Sequence, residues 1–274
     1  MTALTEIAPG VWVLRYPTLD VNSTLIVGSQ VAVVVDTLAT AGQGRELVEA
    51  IRAVTDLPLE IVNTHWHFDH CFGNAVVAEA SPGASIWAHT STVESMREHT
   101  SRVRRAGYDE ALRIAPSIAA EVAATDLRGP DRSVDTLSTM DIGGRKVELR
   151  HFGRGHTECD IVVHVPDVSV VVAGDLVEEG APPSFEDSYP LDWPDTLTEV
   201  LALKPRLVVP GHGAVVDAGF VHDQRAQLSK LEWLIREADC DHVLPEMVAA
   251  QAPFAPDVAV VAVRRGYADL AGQL

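Results

Sequence analysis

The sequence predicts an α/β fold whose strands fall into two groups, and three observations carry that reading. A first set of short apolar runs, 11–16 (VWVLRY), 22–27 (NSTLIV) and 31–36 (VAVVVD), is separated by turn residues such as Gly28 and Ser29. A second set, 146–152 (KVELRHF), 160–165 (DIVVHV), 168–175 (VSVVVAGD) and 206–212 (RLVVPGH), follows past the middle of the chain. In both sets strands give way to loops that carry His or Asp, the pattern of a duplicated layout with two sheets.

Taken in order, VAVVVD is nearly all Val, as expected of a strand buried on both faces, and it ends at Asp36. The following TLATAGQGRELVEAIRAV takes helical spacing from about Gly42. The apolar residues Leu59, Ile61 and Val62 end another buried strand, which opens directly into THWHFDHCFGN (64–74). A short helix and a strand, SIWAH, then run to His89. From Ser91 to Leu127 the pattern is helical, with Ala-rich pieces around Tyr108 to Ala124, and it predicts an insertion packed against the core, or a lid. The turn cluster RGPDRS (128–133) closes it. After the second set of strands, 221–238 and 257–274 are helical by periodicity, with Pro245, Pro253 and Pro256 punctuating the stretch between. No linker separates a second domain, so 1–274 reads as one domain with a helical insertion at about 91–127 and C-terminal helices at about 221–274.

Apolar residues make up 47% and charged residues 22%, which excludes a largely disordered chain. A formal charge of -18 opposes phosphate backbones and anionic lipid, so neither nucleic acid nor a membrane surface is expected as partner. Arg102, Arg104 and Arg105 form a dense basic patch that reads as the solvated face of a helix. Cys71, Cys159 and Cys240 are too sparse for a disulfide framework. With no leader-like N-terminus and no long apolar stretch, the expectation is a cytoplasmic protein.

His65, His67, Asp69 and His70 fall within six residues at a strand end. Two metal-binding His on one helix face sit four apart, whereas His65 and His67 are two apart, so the motif is expected on an extended or looped backbone. Three more candidate ligands follow strands beside Gly: His156 in GRGHTECD, Asp175 in VVVAGD and His212 in VVPGHG. Imidazole with carboxylate suits Zn²⁺, and iron or manganese fits the same nitrogen and oxygen donors.

In the order HxHxDH, then His, Asp and His, the chain resembles the metallo-β-lactamase superfamily from about Val11 to Gly213. The resemblance implies an αββα sandwich, two mixed β-sheets face to face flanked by helices. It implies two metal ions, with His65, His67 and His156 holding one, Asp69, His70 and His212 the other, and Asp175 bridging them. Asp36 matches the family's early acidic residue, which supports the ligand loop. The activity implied is hydrolysis of an ester, thioester, lactone or amide carbonyl, with hydroxide generated from a bridging water and Asp69 as the catalytic residue that orients it and carries a proton to the leaving group. β-Lactamase-like activity and a non-catalytic metal-binding domain of the same fold are the alternatives. Asp175 counts against a dedicated β-lactamase, where that position holds Ser or Cys. The C-terminal Arg264 and Arg265 do not make the basic cluster that a glyoxalase II-like enzyme uses for glutathione.

The loop after Asp175, LVEEGAPPSFEDSYPLDWPD, carries Glu178, Glu179, Glu186, Asp187, Asp192 and Asp195. If the loop lines the mouth of the site, these favour a small neutral or cationic substrate, with Phe185, Tyr189 and Trp193 as apolar or stacking surface; the alternative is a Pro-rich surface connection with solvated charges and a buried Trp. His89, His99, His151, His164, His222 and His242 read as surface or core-satisfied residues, and Cys71 as a packed neighbour of the motif. The final helices could form a homodimer contact or cover the sheet of their own chain.

Overall fold

The computed structural model describes residues 3–240 and 243–274. The chain opens with four strands, β1 (Thr5–Ala8), β2 (Val11–Tyr16), β3 (Val21–Val27) and β4 (Ala32–Val35), followed by helix α1 (Ala41–Arg52). Strand β5 (Leu59–Val62) leads through the His-rich motif into α2 (Phe68–Cys71) and α3 (Asn74–Glu79), then β6 (Ile86–His89). Three helices, α4 (Thr90–Glu98), α5 (Thr100–Ile114) and α6 (Ala119–Ala124), occupy the predicted insertion. The strands β7 (Arg132–Val134), β8 (Leu137–Asp141), β9 (Lys146–Arg150), β10 (Val162–Val165) and β11 (Val170–Glu178) precede α7 (Trp193–Ala202) and β12 (Leu207–His212). Three helices end the chain: α8 (Ala218–Cys240), α9 (Pro245–Ala249) and α10 (Pro256–Leu270).

One sheet runs β1 to β7 in order, antiparallel as far as β4 and parallel beyond it. The other runs β8-β9-β10-β11-β12, antiparallel except for the β11–β12 pair. Among the described residues, their strands pair only at His212 with Val21.

The period-two alternation of strand side chains sorts the apolar residues into layers. In β4, Val33 and Val35 face the second sheet with Ile26, while Ala32 and Val34 face outward with Leu25. In β11, Val170 and Val172 face the first sheet, while Val171 and Ala173 face outward. The inner cluster therefore belongs to both sheets, adding Val62, Leu149, Val163 and Val209. Helix α1 covers the first sheet. Its N-terminus is capped by Thr40, whose side chain accepts from the Gln43 N–H, and it buries Leu47, Ala50 and Ile51 at helical spacing. Trp193 and Leu197 of α7, Leu231 and Ile235 of α8, and Ala262 and Val263 of α10 cover the second sheet. These layers make the αββα sandwich, with the final helices lying on the sheet of their own chain. Among the described residues, no helix is long and apolar enough to cross a membrane.

The insertion packs on the motif itself. Val103 and Ala111 of α5 and Val122 of α6 join Phe68, Cys71 and Phe72 in one buried cluster. At Gly107 of α5 a Cβ would lie 2.7 Å from Phe72 Cζ and 2.8 Å from Phe68 Cβ, so only glycine permits this approach. Arg102 and Arg105 are exposed as expected, and Arg104 donates to the carbonyls of Ala123 and Thr125, tying α5 to α6.

Strands β1, β7 and β8 and helix α7 extend the sequence reading. β7 begins in the last two residues of the stretch expected to be a turn, where parallel pairing with β6 overrides the local turn signals. His89 stacks on His151 with ring centres 4.1 Å apart, and His164 pairs with Glu148. His242 lies outside the described residues.

Candidate metal centre

The seven residues singled out in the sequence meet along one edge of the sandwich. His65, His67, Asp69 and His70 leave the end of β5, Asp175 lies within β11, His212 ends β12, and His156 lies on the connection between β9 and β10. Six of them are buried, and His212 is partly so. As expected, His65 and His67 lie on an irregular, bent segment after β5; Asp69 and His70 instead ride on the single helical turn of α2, packed with Phe72 and α5.

Two groups of ligand atoms result, each lying within 4.8 Å of one another: His65, His67, His156 and Asp175, and beside them Asp69, His70 and His212. In the first, His156 Nε2 is 3.0 Å from His67 Nδ1, and Asp175 Oδ2 is 3.4 Å from His156 Nε2 and 3.6 Å from His65 Nε2. In the second, His212 Nε2 is 3.4 Å from both His70 Nε2 and Asp69 Oδ2. Asp175 reaches both groups, with Oδ1 3.1 Å from His70 Nε2. An ion with about 2.1 Å bonds to tetrahedral nitrogen and oxygen donors spaces them about 3.4 Å apart, so the separations fit. The buried His65 Nε2 has no hydrogen-bond partner, as expected of an atom whose lone pair is meant for a cation. Both groups could hold a metal ion.

The other ring nitrogens are fixed from behind. Asp36 Oδ2 lies 2.9 Å from His70 Nδ1 and accepts from Thr64 Oγ1 at 2.7 Å, and Asp36 Oδ1 accepts from the Thr64 N–H. Thr64 Oγ1 is in turn 3.0 Å from His65 Nδ1, so one carboxylate steadies both rings. His212 Nδ1 donates to the Leu19 carbonyl. Leu19, Asp20, Asp36 and Leu38 all have positive φ without being glycine, and they lie on the segments that carry these contacts. A Cβ at Gly211 would fall 1.7 Å from Asp175 Oδ1, so β12 can approach β11 here only as glycine.

Charge in the cluster is divided unevenly. Burial lowers His156 to about 4, and burial together with the charge of His70 keeps His65 well below the ordinary imidazole range. Burial opposes charge on His67, His70 and His212 too, but the carboxylates outweigh it. Asp187 lifts His67 to about 10, Asp175 lifts His212 to about 10, and Asp175 with Asp69 and Asp36 holds His70 well above its usual value. Against its own burial, Asp175 is held well below the carboxylate range by His70, His212, His65 and His156. The carboxylates thus favour positive charge on three of the imidazoles, at the place where the ligand geometry suits cations.

The metallo-beta-lactamase superfamily model matches residues 16–212. The chain belongs to this superfamily. It is 26% identical over 210 residues to a metallo-beta-lactamase type 2 of Bacillus sp. (strain 170), covering 73% of this chain and 69% of that one. It is 27% identical over 213 residues to a linear primary-alkylsulfatase of Pseudomonas sp. (strain ATCC 19151), covering 67% of this chain and 40% of that one. The structure of the stereoselective inverting sec-alkylsulfatase Pisa1 from Pseudomonas sp. superposes with a TM-score of 0.77 at 17% identity, covering 100% of this chain and 51% of that one, and shares the fold. Like these relatives, this metallo-β-lactamase-fold chain is a metal-dependent hydrolase.

The metallo-β-lactamase centre floors a cleft of about 520 Å³. Its walls carry Asp20, Glu110, Glu178, Glu179 and Glu186, with Arg113 of α5 as the basic residue among them. Arg113 is itself paired with Glu110 and Glu186. Burial and the charge of Asp175 raise Glu178 to about 8. The acidic loop therefore supplies Glu178, Glu179 and Glu186 to the cleft, while its aromatic residues offer the cleft no stacking surface, and Trp193 is buried as the alternative reading of this loop had it. Phe185 and Trp193 are 1% and 0% exposed, packed together in the core, and the Trp193 indole donates to the Leu176 carbonyl. Tyr189 is covered by the guanidinium groups of Arg154 and Arg265. Asp192 pairs with Arg154 rather than facing the cleft. Sequence reasoning missed Thr64, which joins His65 to Asp36, and Glu110 and Arg113, which the insertion brings to the cleft. It also missed the contact of Asp187 with His67, 120 positions apart, for which no local signal exists.

Proposed function

We propose that the chain is a two-metal hydrolase of a small neutral or cationic substrate, acting on an ester, thioester, lactone or amide carbonyl. The observation that carries the reading is the convergence of two ligand groups, shared through Asp175, on the floor of an acidic cleft. His65, His67 and His156 would hold one ion, Asp69, His70 and His212 the other, with Asp175 between them. Zinc suits these donors best, with iron and manganese as the alternatives. Bound there, such ions supply Lewis acidity toward a carbonyl oxygen and make water a nucleophile near neutral pH. Asp69 Oδ2 stands at the edge of the second group and faces the cleft, where it orients the attacking water and returns a proton to the leaving group. Glu110, Glu179 and Glu186 repel anions, which favours carbonyl substrates over alkyl sulfates although an alkylsulfatase is among the relatives.

The test is a turnover screen over lactams, lactones, thioesters, carboxylic esters and alkyl sulfates, with metal content measured on the same sample. The expected result is two equivalents of metal and turnover of a neutral carbonyl substrate, falling about 10²- to 10⁴-fold in Asp69→Asn. Less than one equivalent of metal in protein purified without chelator, unchanged in His65→Ala, refutes the reading. Preference for alkyl sulfates would transfer the substrate class to sulfate esters.

A further inference from the structure

The last helix of the chain reaches the metal centre through a loop. His67 directs Nδ1 toward His156 and Nε2 the opposite way, where it lies 2.9 Å from Asp187 Oδ2. Asp187 sits on an irregular stretch between β11 and α7, so no strand or helix fixes its place. Arg265 of α10 does. Its Nε donates to the Ser188 carbonyl and its Nη2 to the Asp187 carbonyl, each at 2.9 Å, and this two-pronged grip sets direction as well as position. The same guanidinium lies 5.5 Å from the centre of the Tyr189 ring, and Arg154 lies 4.3 Å from it. Arg154 in turn bonds Asp192 and Asp269, the latter also on α10. The helix is anchored by Ala259, Ala262 and Val263, all 0% exposed, and so it offers the loop a rigid support.

We infer that Arg265 is a positioning residue for the metal centre: it holds Asp187 where its carboxylate keeps the His67 ring in the Nε2–H form, with the Nδ1 lone pair turned inward. This rests on the reading of His67 as a ligand. The tautomer matters because a ring free to carry its proton on Nδ1 offers nothing to a cation at that position, and a partner on the far nitrogen removes the choice. Asp187 is one-third exposed, so without the grip of Arg265 its carboxylate is free to turn to water. The arrangement gives α10, which lies beyond the residues matched by the family model, a part in the chemistry of the opening motif.

The experiment titrates metal-free protein with Co²⁺ and follows both affinity and the visible absorption of the bound ion. Arg265→Ala is expected to weaken one of the two ions about 10- to 100-fold and to alter its spectrum, leaving the other unchanged. Asp187→Ala should do the same, and the double variant should lose no more than Asp187→Ala alone, because the two act in series. Arg265→Lys, which can reach one carbonyl, should recover part of the loss. Arg264→Ala, which removes an exposed partner of Glu246 from the neighbouring position, should match wild type. Should Arg265→Ala fail to fold, Arg265→Gln keeps the first two methylenes of the stem and one donor nitrogen and enters the same cycle. Wild-type affinity and spectrum in the Arg265 variant, or a double variant whose loss is the product of the two single losses, overturns the inference while the two-ion reading stands. A wild-type protein that binds no Co²⁺ overturns both.

Discussion

Asp36→Asn is the sharpest probe of how the ligands are held. The carboxylate takes three hydrogen bonds, from the Thr64 N–H at 2.8 Å, from Thr64 Oγ1 at 2.7 Å and across 2.9 Å to His70 Nδ1. Asparagine keeps the size and tolerates the φ of +62° that Asp36 adopts, so neither a cavity nor backbone strain confuses the result. With its oxygen toward the Thr64 N–H, the amide presents N–H groups to Thr64 Oγ1 and His70 Nδ1. His70 must then accept at Nδ1 and carry its proton on Nε2, the nitrogen that faces His212 and Asp175. With the amide flipped, two N–H groups collide at the Thr64 backbone, and a buried unsatisfied donor costs about 1–3 kcal/mol. The first arrangement avoids that cost, and in it the group of Asp69, His70 and His212 loses its ion first. A loss of about 10- to 100-fold in affinity is expected, equivalent to about 1.4–2.8 kcal/mol. Metal titration by calorimetry, with the melting temperature followed with and without zinc, measures it. Two ions bound with wild-type affinity in Asp36→Asn would refute the argument that the Asp36 carboxylate sets the tautomer of His70.

Three further outcomes follow from the geometry. Loading the metal-free protein with Zn²⁺ at pH 7 should release protons from His67, His70 and His212, whose values lie above neutrality, so metal affinity should keep rising as pH is raised toward about 10. Calorimetric enthalpies that do not vary with the ionisation enthalpy of the buffer would contradict this. Gly107→Ala should lower stability by about 1–3 kcal/mol in denaturant titration, because the methyl group pushes α5 off Phe68 and Phe72; an unchanged midpoint would mean that the insertion shifts freely. Trp193→Ala should cost about 3–5 kcal/mol, as it empties the space between α7 and the second sheet and leaves the Leu176 carbonyl without this donor; a loss under 1 kcal/mol would place Trp193 outside the core.

The parts of the structure legible in the sequence are those where local pattern and tertiary role agree. The valine run of β4 is buried on both faces, as its composition demands, and His65 to His70 stand at the end of a buried strand. The parts that escaped are set by partners distant in sequence. β8 alternates between exposed and half-buried residues at a sheet edge, so its apolar signal is weak. The turn of α2 is only four residues long, too short to announce itself by periodicity, and it is shaped by packing under Gly107 of α5. Phe185 and Trp193 stand among acidic and proline residues, a context that left exposure and burial of the Trp equally open, and the chain folds both rings inward against α8 and α10. Asp187 has five acidic companions in the same loop, and nothing in the sequence distinguishes the one that meets His67.

Among the described residues the strands of the two sheets pair at one point, His212 with Val21, and it stands beside the clustered imidazoles. The four residues after β5 belong to the first sheet, while His156, Asp175 and His212 belong to the second. A cation gripped by both would be a rivet through two plates that already share a packed apolar interior and a few backbone hydrogen bonds, such as that from the Ile161 N–H to the Thr64 carbonyl. The link from β7 to β8, at the exposed Asp135 and Thr136, is the seam at which the chain would divide into those plates. A cut there would leave His65, His67, Asp69 and His70 on one fragment and His156, Asp175 and His212 on the other, so each of the two ligand groups spans the cut.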